Sequence, residues 1–182
     1  VDFTGNPKLK KAQFLLAESY FSAEKHEDAV RAFGRFLENF PTGEDTPLAL
    51  FHLASAHYAL KDFEPAAKNY QRLIDEYNSS EYAKAALYNL ALAYKATGKL
   101  DRAEEAYRRY AQQAVPGEAS GKEALWELLS IQKERKDFSG ALQTIDKLMV
   151  GSDGEATIEA SYRKGEVYLM MDRKDDALSV WE

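Results

Sequence analysis

Five short segments of this 182-residue chain recur at a nearly constant interval. Each is a polar turn followed, at the same place, by an alanine that opens a new apolar-periodic stretch. These alanines are Ala29, Ala66, Ala103, Ala141 and Ala177. Their successive spacings are 37, 37, 38 and 36 residues. A constant period of this length predicts an array of similar units, each of which buries its apolar face against its neighbours.

Each unit has the pattern of two helices, because apolar residues return every three or four positions around its alanine. Twelve residues before the alanine stands a small or compact residue: Ala17, Ala54, Ala91, Leu129 and Gly165. Four residues after it stands a bulky apolar one: Phe33, Tyr70, Tyr107, Ile145 and Trp181. Small residues let helix backbones approach closely and bulky ones fill the space beside them. The sequence therefore predicts an all-α fold of about ten helices.

The stretch from Leu87 to Tyr94, followed by Gly98, Ala103 and Tyr107, resembles the tetratricopeptide repeat (TPR) family. The resemblance extends over nearly the whole chain. It implies a right-handed α-α superhelix of five helix-turn-helix repeats that acts as a non-enzymatic protein-interaction scaffold. We expect a single array over residues 1–182, with repeats at about 10–46, 47–83, 84–121, 122–157 and 158–182, the last one truncated.

The repeats are longer than the roughly 34 residues typical of the family. The additional residues fall in four links: Pro41 to Pro47, Asn78 to Tyr82, Pro116 to Gly121 and Gly151 to Ala156. With Phe40-Pro41-Thr42, these links resemble the bacterial envelope subgroup that includes the outer-membrane assembly lipoprotein BamD and the Tol-associated cell-division coordinator. That resemblance implies a periplasmic or outer-membrane-associated protein, with the cytoplasm as the alternative.

Composition and motifs argue against several classes of function. The net charge of −6 gives no positive field for nucleic acid, and no apolar run approaches the roughly 20 residues that cross a bilayer. There is no cysteine, and His52 and His57 are five residues apart, which does not place two imidazoles on one helix face. We found no nucleotide-binding or hydrolase motif. The sequence thus predicts no catalytic residue, no metal site, no cofactor and no membrane insertion of this segment.

Some positions depart from the repeat pattern or carry charge. Lys164 and Gln132 break apolar columns, which predicts looser packing in the last two repeats. The pair Glu104-Glu105 is most simply a solvated helix face. Val180 and Trp181 are expected to be exposed to whatever follows, which suggests a longer array and an open end for self-association.

An aromatic residue stands fifteen positions before each reference alanine. We call this set the aromatic ladder: Phe14, Phe51, Tyr88, Trp126 and Tyr162. In the TPR family the first helix of each repeat lines a concave groove, so the ladder is predicted to anchor a peptide or helical segment of a partner protein. Polar or steering contacts are predicted from residues on the same helices: Tyr58, Asn89, Lys95, Lys133 and Arg163. An apolar stretch followed by mixed or basic charge is the expected partner.

Three alternatives to this groove hypothesis remain open from the sequence. The ladder could be packing between repeats, because aromatic residues at helical spacing often belong to a core. It could be a platform for carbohydrate or peptidoglycan, since sugar rings also stack on aromatic rings. The chain could also be a self-assembling structural protein.

Overall fold

The computed structural model describes residues 6–115, 118–150 and 154–182. Within these ranges the regular structure is entirely helical, as predicted. The ten helices are α1 (Pro7–Ser22), α2 (His26–Asn39), α3 (Thr46–Ala59), α4 (Phe63–Glu76), α5 (Glu81–Ala96), α6 (Leu100–Gln113), α7 (Ala119–Glu134), α8 (Phe138–Met149), α9 (Gly154–Met170) and α10 (Lys174–Trp181). Residues 116–117 and 151–153, in the third and fourth of the longer links, lie outside the described residues.

The helices form two compact units, an N-terminal unit (Val1–Lys99) and a C-terminal unit (Leu100–Glu182). In the N-terminal unit, α1 to α5 pack in chain order, and α3 also contacts both α1 and α5. In the C-terminal unit, α6 to α10 pack in chain order. Each unit is therefore built from neighbour-to-neighbour helix packing, as in repeat proteins.

The five reference alanines have the same place in the structure. Each is the fourth residue of an even-numbered helix, and each has an exposed fraction of 0%. A larger side chain there would have no room, because protein interiors are close-packed. The regular spacing of these alanines thus reflects a tightly packed helix contact that recurs in each helix pair.

The turn inside each helix pair also recurs. Five residues before each reference alanine the backbone is left-handed: Glu24 (φ 56°), Lys61 (φ 63°), Gly98 (φ 70°), Lys136 (φ 58°) and Asp172 (φ 57°). The amide after this residue donates to a carbonyl five residues earlier, as in Asp62 N to His57 O at 2.9 Å and Asp137 N to Gln132 O at 2.8 Å. This is the bond of a helix that ends in a Schellman motif. Only one of the five is glycine, so composition alone does not reveal these turns.

Gln132 does not loosen the fourth repeat, contrary to the expectation. Its side chain is 2% exposed, and both ends of its amide are bonded. Its oxygen accepts from Thr144 at 2.8 Å and its nitrogen donates to Glu104 at 3.5 Å. The polar side chain that interrupts the apolar column is hydrogen-bonded at both its oxygen and its nitrogen, so its burial leaves neither atom without a partner. The other polar interruption, Lys164, forms an ion pair with Asp146 at 2.8 Å.

The prediction that Glu104 lies on a solvated face is wrong. Glu104 is 5% exposed, whereas the side chain of Glu105 is 59% exposed. One Glu104 oxygen lies 2.5 Å from the Arg108 guanidinium, and the other binds Arg135, the residue that caps the C-terminal end of α7. Glu104 therefore joins α6 to α7 and to the network of Gln132.

The last helix folds back onto α9. The Trp181 ring stacks on Tyr162, with centroids 5.9 Å apart, and its indole nitrogen donates to the Tyr162 carbonyl at 3.4 Å. A Cβ on Gly165 would lie 2.1 Å from the Trp181 ring, so only glycine allows this contact. Trp181 remains 43% exposed, while Val180 is half-buried. The expected exposure of this end is thus correct for Trp181 and only partly so for Val180.

Candidate partner-binding groove

All ten predicted binding residues lie on odd-numbered helices, the first helix of each pair. The N-terminal unit carries Phe14 on α1, Phe51 and Tyr58 on α3, and Tyr88, Asn89 and Lys95 on α5. The C-terminal unit carries Trp126 and Lys133 on α7, and Tyr162 and Arg163 on α9. The two sets are described separately below.

In the N-terminal unit the ladder rings pack mainly against their own helix pair. The ring centroid of Phe14 lies 6.2 Å from that of Phe33 and 5.3 Å from that of Phe36. Phe51 contacts Tyr70 at 5.8 Å and Tyr82 of the next pair at 5.9 Å. Phe14 and Phe51 are both half-buried, so each has a structural role and only part of its surface left for a partner.

The polar candidates of the N-terminal unit have structural contacts as well. Tyr58 packs edge-on against Phe63, with centroids 5.2 Å apart. Asn89 hydrogen-bonds the Tyr70 hydroxyl, which also pairs with Ser55 at 2.9 Å. Burial raises the pKa of Tyr70, and these two hydrogen bonds offset part of that rise.

The remaining two candidates of the N-terminal unit both lie on α5. Tyr88 is half-buried, and Lys95, near the end of the helix, is exposed.

In the C-terminal unit three predicted residues come together. Trp126, Lys133 and Arg163 line one cavity of about 260 Å³, completed by Leu129 and Ser130. Trp126 also packs against the core that contains Leu129. Its ring thus has one part in the core and another facing the cavity, which combines an apolar wall with two long cationic side chains.

Two glutamates on α9 balance the positive charge of this cavity. Glu166 accepts from Lys133 at 3.0 Å and from Arg163 at 3.1 Å, while Glu159 accepts from Arg163 at 2.8 Å. Burial raises the pKa of Glu166, but the hydrogen bonds and charges of Lys133 and Arg163 outweigh it, so the net shift is downward. The cations are therefore positioned by local carboxylates and do not form an unbalanced positive patch.

Tyr162 is the most exposed ring of the ladder, at 50%. One face stacks on Trp181, and the Arg163 guanidinium lies 5.7 Å from its ring centroid. The ring–ring contacts of Phe14, Phe51 and Tyr162 join the ladder to the bulky column four residues after the reference alanine. Packing thus accounts for part of the ladder, and in these repeats it lies mainly within a helix pair.

A histidine-aromatic cluster in the N-terminal unit was not predicted. The His52 ring lies edge-on to Phe21 at 4.4 Å and 5.6 Å from Phe33, and its Nδ1 is buried with no hydrogen-bond partner. Burial lowers the pKa of His52. His57 is half-buried, with Nδ1 3.5 Å from an Asp62 oxygen, and makes no hydrogen bond through that nitrogen. Within the described ranges no three or more His, Asp or Glu side chains are placed to hold a metal ion.

Comparison of the sequence with protein families identifies the fold. The description "Tetratricopeptide repeat" matches residues 14–81, and "Tetratricopeptide repeat-like domain" matches residues 61–182, which is more than half of the chain. The chain belongs to the tetratricopeptide repeat family. The predicted family and all-α TPR fold class are therefore confirmed. Proteins of this family are in general non-enzymatic scaffolds that bind other proteins.

Solved TPR structures agree at low sequence identity. The chain is similar to the MamA protein, with a TM-score of 0.72 and 15% identity over 94% of this chain and 87% of that one. It is similar to MamA from residue 41 to its end from Desulfovibrio magneticus RS-1, with a TM-score of 0.66 and 12% identity over 94% and 90%. A Podosopora anserina chain of nearly identical TPR-like repeats gives a TM-score of 0.65 and 15% identity over 97% and 93%. At these identities the likeness establishes the fold alone.

Two further comparisons complete the description. A search of curated proteins found no match to this TPR chain. Among the described residues, no helix has the length and apolar character needed to cross a bilayer.

Proposed function

We propose that this TPR protein is an interaction scaffold that binds a peptide or helical segment of a partner protein in the groove of its odd-numbered helices. The observation that carries the proposal is the convergence of Trp126, Lys133 and Arg163 on one cavity between α7 and α9. A half-buried aromatic ring beside ordered charged groups is typical of residues that dominate protein interfaces. In the N-terminal unit, the predicted residues on α1, α3 and α5 are proposed as contacts of their own.

The charges of α7 and α9 favour a particular partner. Six glutamates lie on the same helices as the two groove cations Lys133 and Arg163: Glu123, Glu127, Glu134, Glu155, Glu159 and Glu166. Because the cations are already paired with Glu166, a purely acidic segment would gain little from them. A segment with an apolar side chain for Trp126, followed by mixed or basic charge, complements this surface better.

Photo-crosslinking tests the groove directly. A benzoylphenylalanine placed at the exposed groove residue Ser130 should crosslink the partner in cells, whereas the same group at exposed Ser179 on α10 should not. The identified partner is then titrated against Trp126→Ala and Tyr88→Ala variants, with circular dichroism to confirm that helicity is kept. Unchanged affinity in folded variants would contradict the proposal.

The same variants separate the carbohydrate alternative. In a Trp181→Phe background, Trp126 is the remaining tryptophan, so its fluorescence reports the cavity alone. A saturable response of this fluorescence to oligosaccharides would favour a glycan platform. No response to glycans, together with a specific crosslinked protein, supports the scaffold.

We further propose a role in a bacterial envelope complex, in the periplasm or at the outer membrane. The support is the resemblance of the long links and of Phe40-Pro41-Thr42 to envelope TPR proteins. Fractionation of the native protein tests this: recovery with the periplasm or outer membrane is expected, and recovery with the cytosol overturns it.

Self-association is a second candidate function, favoured by an apolar surface on α9 and α10. Leu169, Met170, Leu178 and Trp181 are between 43% and 56% exposed. Light scattering over a range of concentrations tests it. A mass that rises with concentration and is reduced in Leu178→Ser supports association at this end, and a constant monomer mass excludes it for this chain.

A further inference from the structure

The C-terminal unit contains a second cavity, which is lined by different residues from the cavity of Trp126. It has a volume of about 300 Å³ and lies where the end of α6, the start of α7 and the end of α8 meet. Its apolar wall includes Ala111, Leu125 and Leu128, and the exposed side chains of Val115 and Val150 stand at its edge. No residue lines both cavities.

The wall is kept open by small residues. Gly121 is buried on α7, and a Cβ added there would lie 2.6 Å from the Ala114 Cβ, so the two chain segments touch at this point. Larger residues at Ala111 or Ala114 would fill the space. The cavity is at the lower end of the range of about 300–1,000 Å³ typical of ligand pockets. This is room for an inserted side chain.

The rim of the cavity is predominantly cationic in an otherwise acidic chain. Its charged lining residues are Arg108, Lys122, Lys147 and Glu118. The carboxylate of Glu118 accepts from the Val115 amide at 3.0 Å and from the Ser120 hydroxyl at 2.6 Å, and Arg108 pairs with Glu104 and Glu105.

The two lysines differ from Arg108. Among the described residues, neither Lys122 nor Lys147 forms an ion pair. They come from two different helices, α7 and α8, and Lys147 is exposed. Two ammonium groups that form no ion pair among the described residues, beside an apolar wall, favour an anionic partner that also has an apolar side chain.

We propose that this cavity is a second docking site, which binds an acidic segment of a partner protein. An aliphatic or aromatic side chain of that segment inserts against Ala111, Leu125 and Leu128, and flanking carboxylates meet Lys122 and Lys147. A fatty acid would satisfy the apolar wall, but it supplies one carboxylate for two lysines on different helices. A peptide with several carboxylates supplies one for each lysine. The charge preference is opposite to that of the Trp126 groove, so the two sites would hold different segments.

Peptide selection tests the site on the whole chain. A random dodecapeptide display library is selected on the wild type and counter-selected on Lys122→Glu/Lys147→Glu. We expect enriched sequences with a large apolar residue beside two or more acidic ones. Each enriched peptide should bind the double variant about tenfold or more weakly, and chemical shift changes should centre on Leu125 and Val150.

Two further variants serve as controls, one for the change of charge and one for the cavity itself. Lys11→Glu/Lys68→Glu makes the same charge change at exposed lysines of the N-terminal unit that form no ion pair among the described residues, and it should bind normally. Ala111→Phe fills the cavity without changing charge and should abolish binding, with helicity checked by circular dichroism. Enriched sequences that lack acidic residues, or that bind both lysine double variants equally, would overturn the proposal.

Sodium laurate is titrated in parallel to test the lipid alternative. Laurate binding that depends on Lys122 and Lys147, in the absence of any enriched acidic peptide, would also overturn the proposal. Loss of crosslinking in the Trp126→Ala variant has no bearing on this site, so the failure of either proposal is seen independently of the other.

Discussion

Leu16 and Leu53 occupy the same position, thirteen residues before successive reference alanines, but their surroundings differ. Leu16 is 51% exposed, whereas Leu53 is 7% exposed. Leu16 lines a cavity between α1 and α2, and Leu53 is enclosed in the N-terminal unit. A sequence column therefore predicts the type of residue at a position, and the neighbouring helices decide what that residue contributes.

This contrast gives a stability prediction with a built-in control. Leu53→Ala should lower the free energy of unfolding by about 2–5 kcal/mol, because it removes buried methyl groups and leaves a cavity. Leu16→Ala should change it by about 0.5 kcal/mol or less, as at most surface positions. Urea unfolding followed by far-ultraviolet circular dichroism measures both. Equal losses would show that the α1 face is covered in solution.

Glu104 and Glu105 form a second matched pair. Glu104→Gln should destabilise the C-terminal unit by about 1–3 kcal/mol, because it weakens charge-assisted hydrogen bonds at a buried site. The lower part of that range is expected, since Arg108 and Arg135 are 40% and 39% exposed and water can replace part of the interaction. Glu105→Gln should cost about 0.5 kcal/mol or less. Unfolding followed by tryptophan fluorescence reports this unit, and no difference between the two variants would contradict the role given to Glu104.

His52 predicts a pH dependence of stability. Burial holds its pKa in the folded chain below the ordinary value of 6.5. Above that value the imidazole is neutral in both states, so it adds no pH dependence; as the pH falls through it, the unfolded chain gains a proton first and stability decreases. The loss of stability between neutral pH and about pH 5 should therefore be smaller in His52→Leu than in the wild type. Parallel urea curves at each pH measure this, and identical slopes would contradict it.

At the scale of the helical elements, the left-handed turn residues give the clearest test. Gly98 has φ 70° and no atom within 4 Å of the position that a Cβ would occupy, so Gly98→Ala changes only the backbone preference. It should cost about 1–2 kcal/mol. Gly34→Ala also adds a methyl group into open space, but it lies inside α2 and should stabilise by up to about 1 kcal/mol. A Gly98→Ala variant with the urea midpoint of the wild type or a higher one would contradict the left-handed turn.

The helical elements also show which features a sequence can predict. The reference alanines predicted the helix pairs, because a closed contact in each pair admits only a small side chain. The Gln132–Thr144 hydrogen bond and the Glu104–Arg135 ion pair each connect residues far apart in the sequence, so no local sequence pattern predicts them. Trp126, Lys133 and Arg163 were predicted from a helix face, whereas the cavity of Ala111 and Lys147 depends on the ends of three helices and carries no periodic signal.

At the scale of the whole molecule, both tryptophans, Trp126 and Trp181, lie in the C-terminal unit. Fluorescence thus reports that unit, while circular dichroism reports both. In repeat proteins stability arises from each repeat and its nearest neighbours. Leu53→Ala should therefore shift the circular dichroism transition more than the fluorescence transition. Equal shifts would show that the two units unfold as one cooperative body.

The complete enclosure of the reference alanines has a practical consequence for kinetics. The chain has no cysteine, and Ala29, Ala66, Ala103, Ala141 and Ala177 are all inaccessible in the folded protein. A cysteine introduced at one of them would be shielded from a thiol reagent until its own helix pair opened. In a set of five single-cysteine variants, each labelling rate would report how often one helix pair opens. Comparing the five rates would show which helix pairs open most readily.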